Sequence, residues 1–185
     1  MADGFCLRET METNHILIVG DVQTGKSMLI RRLMESCSLS RSGFITKVRQ
    51  NNGMRLTHIY PVHCDPLIPS PYNLVGVSNG ISRVGYPEVF DCLGTRYLEA
   101  EGSVILMDEL GVMEENARLF QEKVLACLDG EIPVLAAVKS KRGVPFLERV
   151  KGHPRAPVYH ITRENRETLY EALLPLVRQW EEKNR

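Results

Sequence analysis

Residues 16–27 read Ile-Leu-Ile-Val-Gly-Asp-Val-Gln-Thr-Gly-Lys-Ser, an apolar run followed by a glycine-rich loop that ends in Lys26 and Ser27. Four consecutive apolar residues closed by Gly20 predict a buried β-strand that ends in a turn. The residues after the loop have helical spacing. We expect the apolar face of this helix to carry Met28, Leu29, Leu33 and Met34.

From Gly20 to Ser27 the loop matches the pattern G-x-x-x-x-G-K-[ST], the Walker A motif. Its glycines let backbone amides turn towards phosphate groups, and the start of the helix adds partial positive charge. Lys26 is expected to reach the β- and γ-phosphates and to assist catalysis, and Ser27 to offer its hydroxyl to Mg²⁺. The motif therefore predicts a site for a nucleoside triphosphate, ATP or GTP. We expect the nucleotide to contact Gly20, Asp21, Val22, Gln23, Thr24, Gly25, Lys26, Ser27 and Met28.

A second apolar strand, from Val104 to Met107, ends in the acidic pair Asp108 and Glu109. This is the place of a Walker B aspartate, so we expect Asp108 to hold Mg²⁺ through water. The adjacent Glu109 is the candidate general base that deprotonates the attacking water. Two acids that merely end a strand are the alternative, which the Walker A motif in the same chain makes less attractive.

A third apolar strand, Val134 to Val138, leads directly into the basic turn 139–143. Open α/β sheets bind ligands at the carboxyl ends of their strands, so a cation from this turn is a candidate to stabilise the transferring phosphoryl group. Arg142 is the preferred candidate for its geometry, and Lys139 is nearer to the strand. A solvated basic turn is the alternative.

The remaining pattern predicts an α/β fold of the P-loop NTPase type, because buried strands alternate with helices and parallel strands need crossover connections. We expect a mainly parallel sheet with helices on both faces. An antiparallel hairpin, Gly43 to Arg49 with Met54 to Tyr60, is added around an Asn-Gly turn. Pro61 to Pro71 is predicted to be a surface loop. Further helices are predicted at 88–99, 114–128, 145–150 and 163–183, the last capped by Thr162, and a further strand at 158–161.

The composition argues against several classes of protein. The 23 basic and 23 acidic residues balance, so nucleic acid is not expected to be the main ligand. The polar start of the chain indicates neither a signal peptide nor a membrane span, and a cytoplasmic location is expected. The five cysteines are scattered without a CxxC pair, which predicts reduced and mostly buried thiols. We expect residues 1–13 to be flexible and residues 14–185 to form a single domain.

Some residues invite a functional role that their spacing does not support. His58, His63, Cys64 and Asp65 have no known metal-ligand spacing, so we do not predict a site there. The aromatic side chains of Tyr72, Tyr86 and Phe90 are more typical of packing than of stacking on a base. Trp180 is likewise expected to pack against the fold.

Several longer stretches of the chain together resemble the nucleoside-triphosphatase family first known from thermophiles. They are GFIT at 43–46, VGYPEVF at 84–90, MDELGVMEE at 107–115, PVLAAVKSK at 133–141 and ITRENRETL at 161–169. The resemblance implies a RecA-like core and a slow, magnesium-dependent hydrolysis of several nucleoside triphosphates to diphosphate and phosphate. It assigns phosphate and magnesium binding to Lys26 and Ser27, metal binding to Asp108, and catalysis to Glu109. The segment 82–86 matches the family only loosely, which leaves the base preference open.

Two other functions use the same loop and metal. A nucleotide or small-molecule kinase would transfer the γ-phosphoryl group to a hydroxyl, although the sequence has no long basic lid. A binding module would use the nucleotide state to control its affinity for a partner. No residue pattern names a protein partner.

Overall fold

The computed structural model describes residues 15–99 and 101–184. All eight described strands belong to one sheet, with the order β5-β4-β3-β2-β6-β7-β1-β8. The strands are β1 (Ile16–Gly20), β2 (Arg41–Asn51), β3 (Met54–Pro61), β4 (Leu74–Ser78), β5 (Arg83–Gly85), β6 (Val104–Leu110), β7 (Val134–Lys139) and β8 (Val158–His160). The helices are α1 (Lys26–Glu35), α2 (Pro87–Val89), α3 (Thr95–Leu98), α4 (Arg118–Asp129), α5 (Pro145–Lys151) and α6 (Arg166–Lys183). A π-helical turn, Phe90–Gly94, joins α2 to α3, and a 3₁₀ turn, Pro71–Asn73, precedes β4.

The sheet has a parallel part and an antiparallel part. Strands β2, β6, β7, β1 and β8 pair in parallel, as the strand–helix alternation predicted. From β2 outward, β3, β4 and β5 pair antiparallel. The predicted hairpin is therefore confirmed, and its turn has positive φ at Asn52 and Gly53. Strands β4 and β5 extend the hairpin to four antiparallel strands and were not predicted from the sequence.

Apolar side chains cover both faces of the sheet and helices contribute to both clusters, so the predicted helices on both faces are confirmed. Along β1, Leu17 and Val19 join one core cluster, whereas Ile16 and Ile18 join the other. This alternation is the consequence of successive side chains pointing to opposite faces of a strand. The first cluster contains residues of α3, α4 and α5, and the second contains residues of α1 and α6, including Trp180 as predicted.

Two residues that helical spacing in the sequence places on an apolar face, Met28 in the first helix and Leu119 in the helix predicted at 114–128, are exposed. Met28 is 50% exposed and Leu119 is 58% exposed. In α1 the buried stripe consists of Leu29, Ile30, Leu33 and Met34, which leaves Met28 at its edge. In α4 the buried positions are Phe120, Val124, Cys127 and Leu128, so Leu119 is one position outside the stripe.

Two helices begin later than predicted. Residue 114 begins a turn rather than α4, because its carboxylate accepts a hydrogen bond from the amide of Gly111. Before α6, the hydroxyl of Thr162 accepts hydrogen bonds from the amides of Glu164 and Asn165. Thr162 therefore closes a separate turn, and the N-cap position of α6 belongs to Asn165.

Other predictions have mixed outcomes. Among the four described cysteines, which are all free thiols, only Cys127 is buried, so the prediction of mostly buried thiols is wrong for the described part. The fifth, Cys6, and the segment 1–13 predicted to be flexible lie outside the described residues. No helix within residues 15–99 and 101–184 is long and apolar enough to span a membrane.

Candidate active site

The glycine-rich loop is folded around the ammonium group of its own lysine. Lys26 is buried, and its Nζ donates hydrogen bonds to the carbonyl oxygens of Gly20 at 2.8 Å and Asp21 at 2.7 Å. Positive φ angles at Gln23 and Gly25 make the bend that carries the chain from β1 into α1. The loop thus has the conformation needed to bring backbone amides and the start of α1 to one place.

Ser27 and Asp108 meet beside the loop although they are 81 residues apart. The Ser27 hydroxyl donates a hydrogen bond of 2.7 Å to Oδ1 of Asp108. Asp108 is only 6% exposed, and burial raises the pKa of its carboxyl group while the Ser27 hydrogen bond opposes that rise. A desolvated carboxylate with one hydroxyl donor gains stability from a cation placed next to it.

This donor set fits Mg²⁺. The ion prefers oxygen ligands, and proteins usually hold it through one or two side chains together with substrate phosphates and water. The Ser27 hydroxyl and the Asp108 carboxylate are ligands of that kind. No group of three or more His, Cys, Asp or Glu side chains suited to a metal occurs in the described part of the chain. Ser27 and Asp108 therefore fit Mg²⁺ better than zinc, which takes three or four protein ligands.

Glu109 points towards the lysine of the loop. Its Oε2 lies 3.1 Å from Nζ of Lys26, and its Oε1 lies 3.2 Å from Nζ of Lys139. Pairing between β6 and β7 skips Glu109, since Asp108 is opposite Ala137 and Leu110 is opposite Val138. Such a bulge re-aims a side chain at the end of a strand. The hydroxyl of Thr46 on β2 accepts a hydrogen bond of 3.3 Å from the Glu109 amide and donates one of 3.3 Å to the Asp108 carbonyl oxygen. These two hydrogen bonds hold the bulge in place.

The order of the strands explains which cation reaches Glu109. Strand β7 lies between β1, which leads into the loop, and β6, which carries the two acids. Its last residue, Lys139, is in register with Gly20 and therefore emerges between Lys26 and Glu109. Arg142 instead lines a different cavity, with Ser140, Glu148, Lys151 and His160, and within the described residues it makes no ion pair with Glu109. The structure thus favours Lys139 over Arg142, the reverse of the order that we predicted for these two cations.

Two cavities open on either side of the acidic pair. One, of about 260 Å³, contains Ser27, Met28 and Asp108 together with residues of α1 and β2. The other, of about 220 Å³, contains Glu109, Lys139, Glu114 and the arginines Arg55 and Arg83 of the antiparallel strands. Asp108 therefore lines one cavity and Glu109 the other, as the side chains of neighbouring strand residues can.

Three residues at or next to the site had no predicted role. Thr46 and Glu114 lie within the stretches GFIT and MDELGVMEE, and Arg166 lies within ITRENRETL. Glu114 is 2% exposed, and burial raises its pKa to about 7. These stretches carry the resemblance to the family. The sequence alone, however, does not show that Thr46 hydrogen-bonds to the backbone of Asp108 and Glu109, or that Arg166 lies against Gly25 of the loop.

Comparison with known proteins indicates an NTPase, as the geometry of the loop and the acidic pair does. A family model described as NTPase matches residues 15–174. A nucleoside-triphosphatase THEP1 from Thermotoga petrophila is 31% identical over 170 residues, which cover 86% of this chain and 90% of the relative. The corresponding protein of a Thermotoga species is 29% identical over 88% of this chain and 95% of its own length.

A solved structure is similar in fold. The crystal structure of THEP1 from the hyperthermophile Aquifex aeolicus has a TM-score of 0.70 to this chain, with 23% sequence identity, and the match covers 88% of this chain and 98% of that one. The match to the family model spans most of the sequence and includes both the loop and the acidic pair, so the chain belongs to the thermophile-type NTPase family.

Proposed function

We propose that this member of the NTPase family hydrolyses nucleoside 5′-triphosphates to diphosphate and phosphate, that it needs Mg²⁺, and that it accepts several bases. Hydrolysis of nucleoside triphosphates as such follows from membership of the family. The metal requirement is supported by the Ser27–Asp108 pair, and the tolerance for bases by the resemblance to the family. The free thiols agree with action in a reducing compartment, and we propose the cytoplasm.

The observation that carries the proposal is the 3.1 Å separation between Lys26 Nζ and Glu109 Oε2. A phosphate oxygen that replaces one of the carbonyl partners of Lys26 lies next to the Glu109 carboxylate. A water beside that phosphate is then within reach of Glu109, which accepts its proton as it attacks phosphorus. The attacking and the binding machinery therefore occupy one place.

Each cation and acid has a separate task in this reaction. Lys26 and the loop amides bind the β- and γ-phosphates, and Lys139 stabilises the negative charge that grows on the transferring group. Mg²⁺, held by Ser27 and Asp108, supplies further neutralisation of phosphate charge when it is bound. Arg142 remains a predicted catalytic residue with less geometric support than Lys139.

The variant Glu109→Gln tests the proposal because it keeps the shape and removes the base. We expect kcat for phosphate release to fall by about 100-fold or more. Nucleotide affinity should be unchanged or higher, since a negative charge next to the γ-phosphate is lost. Glu115→Gln, at an exposed position six residues further along and 4.0 Å from Arg83, is the matched control and should behave as wild type. Equal rates for Glu109→Gln and wild type would remove Glu109 as the base.

The cavity next to Glu109 favours one alternative, phosphoryl transfer to a small acceptor. Its lining combines the Glu109 carboxylate with hydroxyls of Thr57 and Ser78 and the guanidinium groups of Arg55 and Arg83. Such a lining suits an anionic polyol, whose hydroxyl would replace water as the nucleophile. Labelled γ-phosphate from ATP, offered with a panel of sugar phosphates, would appear in the sugar phosphate if the chain is a kinase and only in inorganic phosphate if it is a hydrolase.

A further inference from the structure

The turn that follows β8 packs directly against both glycines of the phosphate-binding loop. A β-carbon added at Gly20 would lie 2.6 Å from Cγ2 and 2.7 Å from the carbonyl oxygen of Ile161. One added at Gly25 would lie 3.0 Å from Cδ and 3.6 Å from Cζ of Arg166. The loop and residues 161–166 therefore form one contiguous surface, and Arg166 lies against the residue that precedes Lys26.

Hydrogen bonds within the turn fix the position of Arg166. The side-chain oxygen of Asn165 accepts the Thr162 amide at 2.8 Å, and its side-chain nitrogen donates to the His160 carbonyl at 2.9 Å. The next residue, Arg166, begins α6. One position further, Glu167 makes two hydrogen bonds with Arg32 of α1, at 2.8 and 2.9 Å, which join the two helices. Arg166 thus lies between the hydrogen-bonded turn and the residue that joins α6 to α1.

Among residues 15–99 and 101–184, the guanidinium group of Arg166 has no ion-pair partner. Its Nε is covered and makes no hydrogen bond. No carboxylate of the described residues lies within 4.0 Å of it, and Glu164 interacts with it electrostatically at longer range. The Arg166 side chain as a whole is half-buried, and only its Nε hydrogen is covered without an acceptor. A covered donor without an acceptor is costly, so a cation in this state is expected where a ligand supplies the missing interaction.

We propose that Arg166 binds the nucleoside part of the substrate by stacking its guanidinium plane on the base. This inference rests on the proposed function, since it requires a nucleotide whose phosphates lie in the loop. The loop amides and Lys26 already provide for the phosphates, so the cation next to Gly25 is left for the part of the nucleotide that extends beyond the loop. Every base has a π-face, so stacking on a guanidinium group binds purines and pyrimidines alike. The contact accounts for affinity towards the nucleoside without selection of the base.

The test compares Arg166→Gln and Arg166→Lys with the wild-type chain. KM and kcat are measured for ATP, GTP, CTP and UTP with Mg²⁺, and inorganic tripolyphosphate is measured as a competitive inhibitor of ATP hydrolysis. Both variants should raise KM for all four nucleotides by about tenfold, with kcat changed by less than about threefold. Inhibition by tripolyphosphate, which has no base to stack, should change by less than about twofold. Arg163→Gln, in the exposed part of the same turn, is the matched control.

The outcomes separate the possibilities. If Arg166→Lys restores the wild-type KM, or if inhibition by tripolyphosphate weakens as much as nucleotide binding, Arg166 acts through its charge on a phosphate and the proposal is overturned. Unchanged KM values in both variants leave Arg166 a packing residue and overturn it as well. Circular dichroism and melting identify a variant that does not fold, and the lysine variant keeps the alkyl chain that packs on Gly25. A wild-type chain that hydrolyses none of the four nucleotides contradicts the proposed function itself.

Discussion

At the scale of single residues, the site is a chain of alternating charges. Glu109 lies between Lys26 and Lys139, with separations of 3.1 and 3.2 Å, and is 23% exposed. A carboxylate paired with two ammonium groups is held in one orientation, which places a general base for proton transfer. The two lysines come from different strands, so each can be tested separately.

Lys139 is predicted to matter more for catalysis than Arg142. Lys139→Met removes the cation next to Glu109, and we expect kcat to fall by about 100-fold with a smaller change in KM. Arg142→Met, which alters the cavity near Glu148, should stay within about threefold of wild type. Steady-state phosphate release with Mg²⁺ and ATP decides between them. A larger loss of kcat in Arg142→Met than in Lys139→Met would contradict this prediction and favour Arg142 as the catalytic cation, as the sequence suggested.

Glu114 is predicted to make the protein less stable as the pH rises. Burial raises its pKa from 4.5 to about 7, so between these values the folded chain holds a proton that the unfolded chain has released. The free energy of unfolding therefore falls as the pH rises through this window. Glu114→Gln keeps an acceptor for the Gly111 amide and should be more stable than wild type at pH 8, by on the order of 3 kcal/mol, but equally stable at pH 4.

Urea unfolding at several pH values checks this prediction. His15 contributes the opposite slope, because burial lowers its pKa to about 4 and its stabilising effect is lost as the pH falls from 6.5. The difference between Glu114→Gln and wild type, measured at each pH, isolates the carboxyl group from this histidine. A difference that does not change between pH 4 and pH 8 would contradict the assignment.

At the scale of elements, the contact between β2 and β6 depends on a glycine. Gly43 has a φ of 104°, and a β-carbon there would lie 2.0 Å from the carbonyl oxygen of Leu106 on β6. Gly43→Ala should lower the free energy of unfolding by about 3 kcal/mol or more, because the two strands must separate. Gly53→Ala is the control, with a φ of 75° but no atom within 4 Å, and should cost about 1 kcal/mol. Denaturant titration of both variants measures the two losses in the free energy of unfolding. Equal losses would show that the cost at Gly43 comes from backbone strain and not from contact with β6.

Some elements were predictable from the sequence and others were not. Strands β1, β6 and β7 are continuous apolar runs, and the hairpin has an Asn-Gly turn, so local patterns identify them. Strands β4 and β5 have five and three residues and few buried side chains, so their pairing with β3 and with each other is not visible locally. The starts of α4 and α6 were missed because side chains of Glu114 and Thr162 bond to nearby amides and compete with the helix.

At the scale of the whole molecule, the site draws on distant parts of the chain, so ligand binding should stabilise the entire fold. A non-hydrolysable triphosphate analogue with Mg²⁺ at about 100 times its Kd should add about 2.7 kcal/mol to the free energy of unfolding. Removal of the metal by a chelator should reverse part of this gain. In Asp108→Asn, which keeps an acceptor for the Ser27 hydroxyl, the analogue should still stabilise the protein but the part that depends on metal should be lost. Thermal melting measures all of these states, and identical melting with and without metal in the wild type would refute the role of Asp108.

The sequence by itself determined the α/β class, the loop with Lys26 and Ser27, and the acidic pair Asp108 and Glu109, because these depend on patterns within short segments. Only the tertiary structure decided that β7 separates β1 from β6, and hence that Lys139 rather than Arg142 stands beside Glu109. It also decided that the turn before α6 lies on the loop and brings Arg166 to Gly25. The physical reason is that strand order and the packing of distant segments depend on contacts between residues far apart in the chain, which leave no periodic signal in the sequence.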